Sequence, residues 1–299
     1  MTFLKPRYCF VAIAWAAPPR PAVAQCGPCE IAILQLTAGT RPLGLAGAYV
    51  AGNGPNAVFH NPAQIGSLHG SVASLEWVGG ARFGSFATTG SIGSLNLGAG
   101  IRLLADGVPG PFGDSIRLGG GALVATGSVA RSVRGVWLGA SASYVTPELS
   151  SGGGVAFDVG AAVRRFGFLF GVSAQNLGRD FTIDGITHEL PRRVSLGVAW
   201  PGTSLGAYFD LSAVTAVSLE RGGAVIPRGA VELSYVPVTG WTFSARAGVR
   251  RVVARAGELR ESAVTLGGSF ELDRVSLDYA FVPAESGGRA SHSIGLRIQ

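Results

Sequence analysis

Between Arg274 and Phe281 the chain alternates without a break. Val275, Leu277, Tyr279 and Phe281 are bulky and apolar, while Arg274, Ser276, Asp278 and Ala280 occupy the positions between them. Successive side chains on a β-strand point to opposite faces, so this segment has one greasy face and one wet face. Charges lie on the wet face and a tyrosine on the greasy one. That combination suits the wall of a barrel with hydrocarbon outside and water or polar groups inside.

The same two-residue period recurs upstream. Trp241, Phe243, Ala245, Ala247 and Val249 alternate with Thr242, Ser244, Arg246 and Arg250, and Val155, Phe157, Val159, Ala161 and Val163 alternate with Asp158, Gly160 and Arg164. Leu95, Leu97, Ala99, Ile101 and Leu103 alternate with Asn96, Gly98, Gly100 and Arg102. A helical period fits none of these segments. With the weaker segments included, strands are expected near 70–78, 82–89, 94–105, 115–131, 134–146, 153–164, 166–177, 187–200, 203–213, 224–237, 240–254, 260–272, 274–283 and 289–299. The total is about fourteen, an even number as single-chain bacterial barrels require.

Connection lengths supply an orientation. Those after even-numbered strands are tight: Gly90 to Gly93, Ser132-Val133, Arg165, Pro201-Gly202, Val238-Thr239 and Asp273. Those after odd-numbered strands are mostly longer, as in Asp106 to Asp114, Gly178 to Ile186 and Val214 to Gly223, although the first is short. Short periplasmic turns opposite longer external loops are the expected asymmetry when both termini are periplasmic.

Composition bears on what surrounds the wall. The chain has 46 Gly in 299 residues, only 14% charged residues and a mean hydropathy of +0.36. Ordinary globular chains carry about 7% glycine and about 25% charge. No run of apolar residues is long enough for a spanning helix. A membrane-like composition without such helices points to strands, because a closed barrel is the other way to satisfy backbone groups in lipid. A soluble sandwich would carry more surface charge. The inward positions collect Arg102, Asp158, Arg164, Asp210, Glu232, Arg246, Arg250, Glu271, Arg274 and Asp278, interleaved with small residues that leave room for a plug. Each charge would cost roughly 2–4 kcal/mol at the bilayer midplane, so these residues belong to the lumen.

The N-terminus reads as a secretory signal over residues 1–24. Lys5 and Arg7 precede a short apolar core, Tyr8 to Ala17, and Ala22-Val23-Ala24 offers a cleavage site. Its loss removes Lys5, Arg7 and Arg20, leaving 21 of the 24 basic residues against 18 acidic ones, a small and dispersed excess that marks no nucleic-acid surface. The pair Cys26 and Cys29 spells a thioredoxin-like Cys-Gly-Pro-Cys but has no room for a preceding strand, so the expectation is a small disulfide or no role at all, and not a redox centre.

Residues 25–68 do not alternate, and a barrel over 69–299 would follow them. Gly44, Gly47, Gly52 and Gly54 permit tight turns and close packing, and Asn61-Pro62 starts a turn. A compact glycine-rich piece ahead of a barrel fits inside its lumen. Arg41 to Val50 (RPLGLAGAYV), followed by Ala57 to Ala63 (AVFHNPA), resembles the opening of the PorV/PorQ outer-membrane proteins. These are similar to FadL-type transporters, whose plug also carries Asn-Pro-Ala. Gln175 to Gly178, Leu190-Pro191 ahead of Ser195 to Val198, Leu277 to Phe281 and Ser291 to Leu296 match in the same order. The resemblance implies a fourteen-stranded barrel with an N-terminal hatch in which Asn61, Pro62 and Ala63 shape a kink. One departure is the ending Leu296-Arg-Ile-Gln299, where barrels usually present an aromatic residue to the assembly machinery.

The resemblance also implies transport. PorV-like members handle cargo for type IX secretion, with a secreted protein or translocon subunit as partner. FadL-like members pass hydrophobic small molecules such as fatty acids. The competing enzymatic reading rests on Phe112-Gly-Asp-Ser115, which mimics a GDSL esterase block. That Ser needs a strand-to-helix turn and a downstream Asp-x-x-His, and Asp184 to His188 has the wrong spacing. His60, His69, His188 and His292 lack metal-ligand spacing, so neither a metal nor a cofactor is expected. A purely structural barrel is the third class.

Overall fold

The computed structural model describes residues 31–66, 69–78, 81–110, 113–116, 121–146, 152–183, 186–252, 261–283 and 290–299. The signal segment, Cys26, Cys29, Phe112 and Asp184 lie outside them. Fourteen strands form one closed antiparallel barrel in which each pairs with its neighbour in the chain. They are β1 (Gly70–Val78), β2 (Ala81–Ile92), β3 (Leu95–Gly110), β5 (Ala122–Val133), β6 (Val136–Thr146), β7 (Gly154–Arg165), β8 (Phe168–Leu177), β11 (Arg193–Leu205), β12 (Phe209–Glu220), β13 (Val225–Val238), β14 (Trp241–Val252), β15 (Glu261–Leu272), β16 (Val275–Val282) and β17 (Ser291–Ile298). The ring closes where β1 meets β17, from Ser71 opposite Ile298 to Trp77 opposite His292. No sheet edge is left open to lipid.

Three short strands lie outside the ring. β4 (Gly113–Ile116) pairs back on the extended end of β3, with Val108 opposite Ser115. β9 (Phe181–Ile183) and β10 (Ile186–His188) form a hairpin within the loop between β8 and β11.

The alternation holds as the facing of the wall. On β16, Val275, Leu277 and Tyr279 are exposed outward, whereas Ser276, Asp278 and Ala280 are buried. Outward leucines, valines and phenylalanines are exposed on every side, a surface stable only in hydrocarbon. An aromatic row marks its lower border. Phe209, Tyr235, Phe243 and Phe270 are successive cross-strand partners, with ring centroids 5.0 Å, 6.5 Å and 4.9 Å apart. Aromatic rings gather at the membrane–water interface because they present an apolar body and a polar rim.

This border lies beside the tight turns. Arg134-Gly135 and Phe166-Gly167 have both residues at positive φ, the geometry of two-residue turns whose twist matches the flanking strands. Gly70 and Gln299 lie at the same rim as these turns, and the longer connections lie at the opposite one.

Several strand boundaries differ from the sequence reading, among them the start of β11, expected at 187 and found at Arg193, and the end of β3, expected at 105 and found at Gly110. Pro201-Gly202 is not a turn: it is a bulge within β11, where the register slips between Trp200 and Thr203, and the chain reverses at 206–208. Proline and glycine punctuate both turns and bulges, and only the pairing separates the two. Val214 to Glu220, expected as loop, continues β12, because Ser218 and Ala216 face inward between exposed Val217 and Leu219. The strand expected at 115–131 divides into β4 and β5, since Ser115 bonds back to β3 and only Ala122 onward joins the ring.

Val231 sits midway along β13 on the outward face. Val231→Arg should lower stability in lipid vesicles by roughly 2–4 kcal/mol, read as the folded fraction on an unboiled gel across a urea series. A loss under about 1 kcal/mol would mean that this face is not in hydrocarbon.

Candidate functional site in the plugged lumen

Residues 31–66 fill the barrel. They form a 3-10 turn (Ala32–Leu34), a single helical turn (Thr40–Gly44) and two further 3-10 turns (Pro55–Phe59 and Pro62–Gln64). This irregular backbone is tolerated at membrane depth because protein surrounds it.

The wall admits the segment through inward-facing glycines. A Cβ on Gly160 would overlap Asn61 Oδ1, one on Gly139 would overlap the Pro62–Ala63 peptide, and ones on Gly171 and Gly197 would press on Val50 and Ala51. Gly98 and Gly100 lie against Val58 and Phe59 in the same way. A side chain at any of these positions would push the segment off the wall.

Asn61 holds the centre of this contact and is fully buried. Its Nδ2 donates to Val50 O at 2.8 Å and to Ala161 O on β7 at 3.4 Å, while its Oδ1 accepts from Ala63 N at 3.1 Å. One amide therefore joins two parts of the segment, caps the turn begun by Pro62 and reaches the wall. Pro62 and Ala63 lie in the cleft that Gly139 leaves. Nearby, Gln175 Nε2 donates to Phe59 O at 2.9 Å, and the Arg102 guanidinium lies over the Phe59 ring at 5.2 Å. Within the segment, the His60 ring Nε2 is 2.9 Å from Ala38 O and the ring meets Tyr49 edge-on.

On the opposite side an ionic chain ties the helical turn to three strands. Arg41 Nη2 donates to Glu232 Oε1 at 2.9 Å, Glu232 also takes the Nε–H of Arg246, and Arg246 Nη1 donates to Asp278 Oδ1 at 3.0 Å. Arg246 Nη2 adds a bond to Ser269 Oγ at 2.8 Å. Two guanidinium groups thus face two carboxylates, and removing one partner of such a buried set costs about 3–5 kcal/mol. Thr40 Oγ1 to Ser293 Oγ at 2.8 Å and Thr265 Oγ1 to Gly44 O at 3.1 Å complete this contact.

The lumen residues read from sequence therefore divide. Arg246 and Asp278 come together in the ionic chain. Asp158 accepts from Ser141 Oγ at 2.9 Å and from Asn176 N at 2.7 Å, and Arg102 stacks on the segment. Arg250 faces inward opposite Arg228. Arg164 stands apart, lining a cavity of about 210 Å³ between the segment and the wall that also includes Arg41, Tyr49, Trp200 and Glu232. Sequence reading singled out none of Thr40, Arg41, Tyr49, Gln175 and Ser293 as site residues, although four of them stand inside the stretches that carry the family resemblance and Thr40 directly precedes the first.

On the β1–β7 side the segment packs against the wall through apolar side chains, set among buried polar ones such as Ser85, Thr126 and Ser143. Ile33, Leu34, Val58, Phe83, Val124 and Val145 form one buried cluster. The loop after β8 closes over it, sending Leu190 into the cluster with Phe181 packed alongside. Its fold is fixed by Asn176 Nδ2 donating to Pro191 O at 2.8 Å and by Asp180, which accepts from Leu190 N at 3.0 Å and from Arg221 at 2.9 Å. Partial desolvation disfavours the charged Asp180 carboxylate, but the Leu190 amide and Arg221 outweigh it and hold its pKa below the ordinary value.

Ser115, the nucleophile of the enzymatic reading, lies in β4, where it is paired with Val108 of β3. His188 stacks on Phe181 with centroids 5.8 Å apart. Among the described residues no group of three or more His, Cys, Asp or Glu could hold a metal.

No family model and no curated protein matches the chain in sequence. In structure it is similar to the CymD monoaromatic hydrocarbon channel, with 12% identity and a TM-score of 0.58 over 87% of this chain and 96% of that one. It is also similar to the TodX deltaS2S3 mutant monoaromatic hydrocarbon channel, at 12% identity and a TM-score of 0.50 over 82% and 93%. The barrel resembles those of FadL-type outer-membrane channels. At this identity the likeness is one of fold, and it does not single out the PorV/PorQ branch. A closed barrel of this kind is typical of the bacterial outer membrane, with termini facing the periplasm.

Gly160→Val should leave a heat-modifiable barrel but expel residues 31–66 from the wall, so that protease cuts the segment faster and single-channel conductance rises. An unchanged digestion pattern would show that this glycine does not seat the segment. For the upper loop, Asp180 contributes order above the ordinary carboxylate pKa and loses it as pH falls through its lowered value. The protection factor for amide exchange across 178–192, taken relative to the intrinsic rate at each pH, should therefore fall in acid, and Asp180→Asn should show low protection at every pH.

Proposed function

We propose that the barrel passes small hydrophobic molecules across the outer membrane, as a channel and not an enzyme. The supporting observation is the apolar cluster through which residues 31–66 pack against β1–β7. A water-filled pore has a polar lining, whereas an apolar molecule enters an apolar, close-packed path by replacing side-chain contacts. Passage then requires residues 31–66 to shift, and the cavity beside Arg41 and Trp200 offers space on the tight-turn side. In this reading Asn61, Pro62 and Ala63 position the segment and touch no ligand, and the lumen charges keep it docked. The fold likeness to the CymD and TodX channels, both described as monoaromatic hydrocarbon channels, supports the same class of cargo.

The resemblance of Arg41 to Val50 and Ala57 to Ala63 to PorV/PorQ proteins supports a second reading, cargo handling in type IX secretion, with a secreted protein or translocon subunit as partner. On either reading the outer-membrane lipid surrounds the barrel, and the barrel assembly machinery inserts it.

Uptake of radiolabelled toluene and of oleate should rise several-fold when the chain is expressed in cells lacking their own hydrophobic channels, and Gly160→Val should change that rate. Uptake equal to the empty-vector control for both compounds, with the barrel folded, would sink the channel reading. A co-purifying secreted protein would then favour the second.

A further inference from the structure

The outer wall is not evenly convex. A concavity of about 1250 Å³ crosses its lipid face from Val136 at the lower end of β6 to Arg251 at the upper end of β14. Its floor follows a row of cross-strand partners: Val163, Phe170, Val198, Thr215, Gly229 and Val249, on six neighbouring strands. The dent has a cause on the other side of the wall. There Gly171, Gly197 and Ala216 draw the strands onto Val50 and Ala51. Small outward residues deepen it. At Gly229 an added Cβ would meet nothing nearer than Val214 O at 3.9 Å, and the hydroxyl of Thr215 is satisfied by Arg228 O at 3.1 Å.

The groove is apolar along most of its length, and three arginines, Arg228, Arg250 and Arg251, line its upper end, of which Arg228 and Arg250 lie on the inward parity of their strands. Arg251 faces outward, one residue before the end of β14, and makes no hydrogen bond or ion pair with the described residues. A guanidinium at the upper membrane border of an apolar trough matches an acidic head group above acyl chains. A second copy of the chain fits poorly, because two concave faces related by a two-fold axis enclose a void. We infer that this groove is a binding site for a phosphorylated, multiply acylated glycolipid of the outer leaflet, its chains lying over Gly229 and Thr215 and a phosphate on Arg251.

The test uses the full chain in phosphatidylcholine nanodiscs, titrated with lipid A and read as lipid A retained per barrel by native mass spectrometry. Arg251→Gln and Gly229→Leu, each shown folded by heat-modifiable migration, should weaken retention about fivefold. In the unaltered protein, dephosphorylated lipid A should compete about fivefold less well than lipid A. Unchanged retention in both variants overturns the site, as does equal competition by the dephosphorylated lipid. A second copy or another protein on this face, resolved in the same spectra, overturns it too.

Discussion

Every backbone group that faces hydrocarbon must find its partner inside the protein, because no water is there to replace it. The pairing of β1 with β17 meets that condition, and the rest of the molecule depends on it. Once the ring is closed each strand has a fixed inside and outside. The two-residue period then sorts every side chain into lipid or lumen, and a one-residue slip would exchange the two faces. The charges of Arg246 and Asp278 are affordable only because closure puts them inside, where each has a partner.

Closure also creates an interior that must be filled. The N-terminal segment does this with little regular structure, and the wall meets it with glycines where a side chain would stand in the way. The contact is specific at a few points. Asn61 bonds in three directions, Gln175 holds the Phe59 carbonyl, and the Arg41–Glu232–Arg246–Asp278 chain fixes the helical turn. Apolar packing elsewhere is compatible with movement, whereas the ionic chain makes displacement costly. Displacing a segment docked in this way requires the exchange of buried contacts. The same inward pull of Gly171 and Gly197 dents the outer face, so that plug docking and the lipid groove share one cause.

Much of the wall was legible in the sequence because alternation is local. The parity of Asp158, Arg102, Arg246 and Asp278 follows from their neighbours alone, and all four face inward. The failures have a common origin. Pro201-Gly202 has the chemistry of a turn, yet pairing with β12 holds it as a bulge. Around Val214 small and medium residues blur the alternation, so local pattern ends β12 too early. The plug contacts were harder still: Gln175 and Phe59 are 116 residues apart, and Thr40 and Ser293 are 253 apart. Nothing local marks such pairs. Arg41 and Gln175 stand within the stretches that resemble PorV/PorQ proteins, yet nothing in those stretches singles them out from their neighbours.

By itself the sequence determined the wall: the number of its strands, the facing of its side chains, and which rim carries short turns. These follow from a two-residue period and from the cost of charge in hydrocarbon, both readable one residue at a time. Only the tertiary structure decided how the lumen is closed, which glycines yield to the plug, which charges pair, and where the outer face is hollow. Those depend on groups brought together from opposite ends of the chain, and proximity of that kind leaves no local pattern.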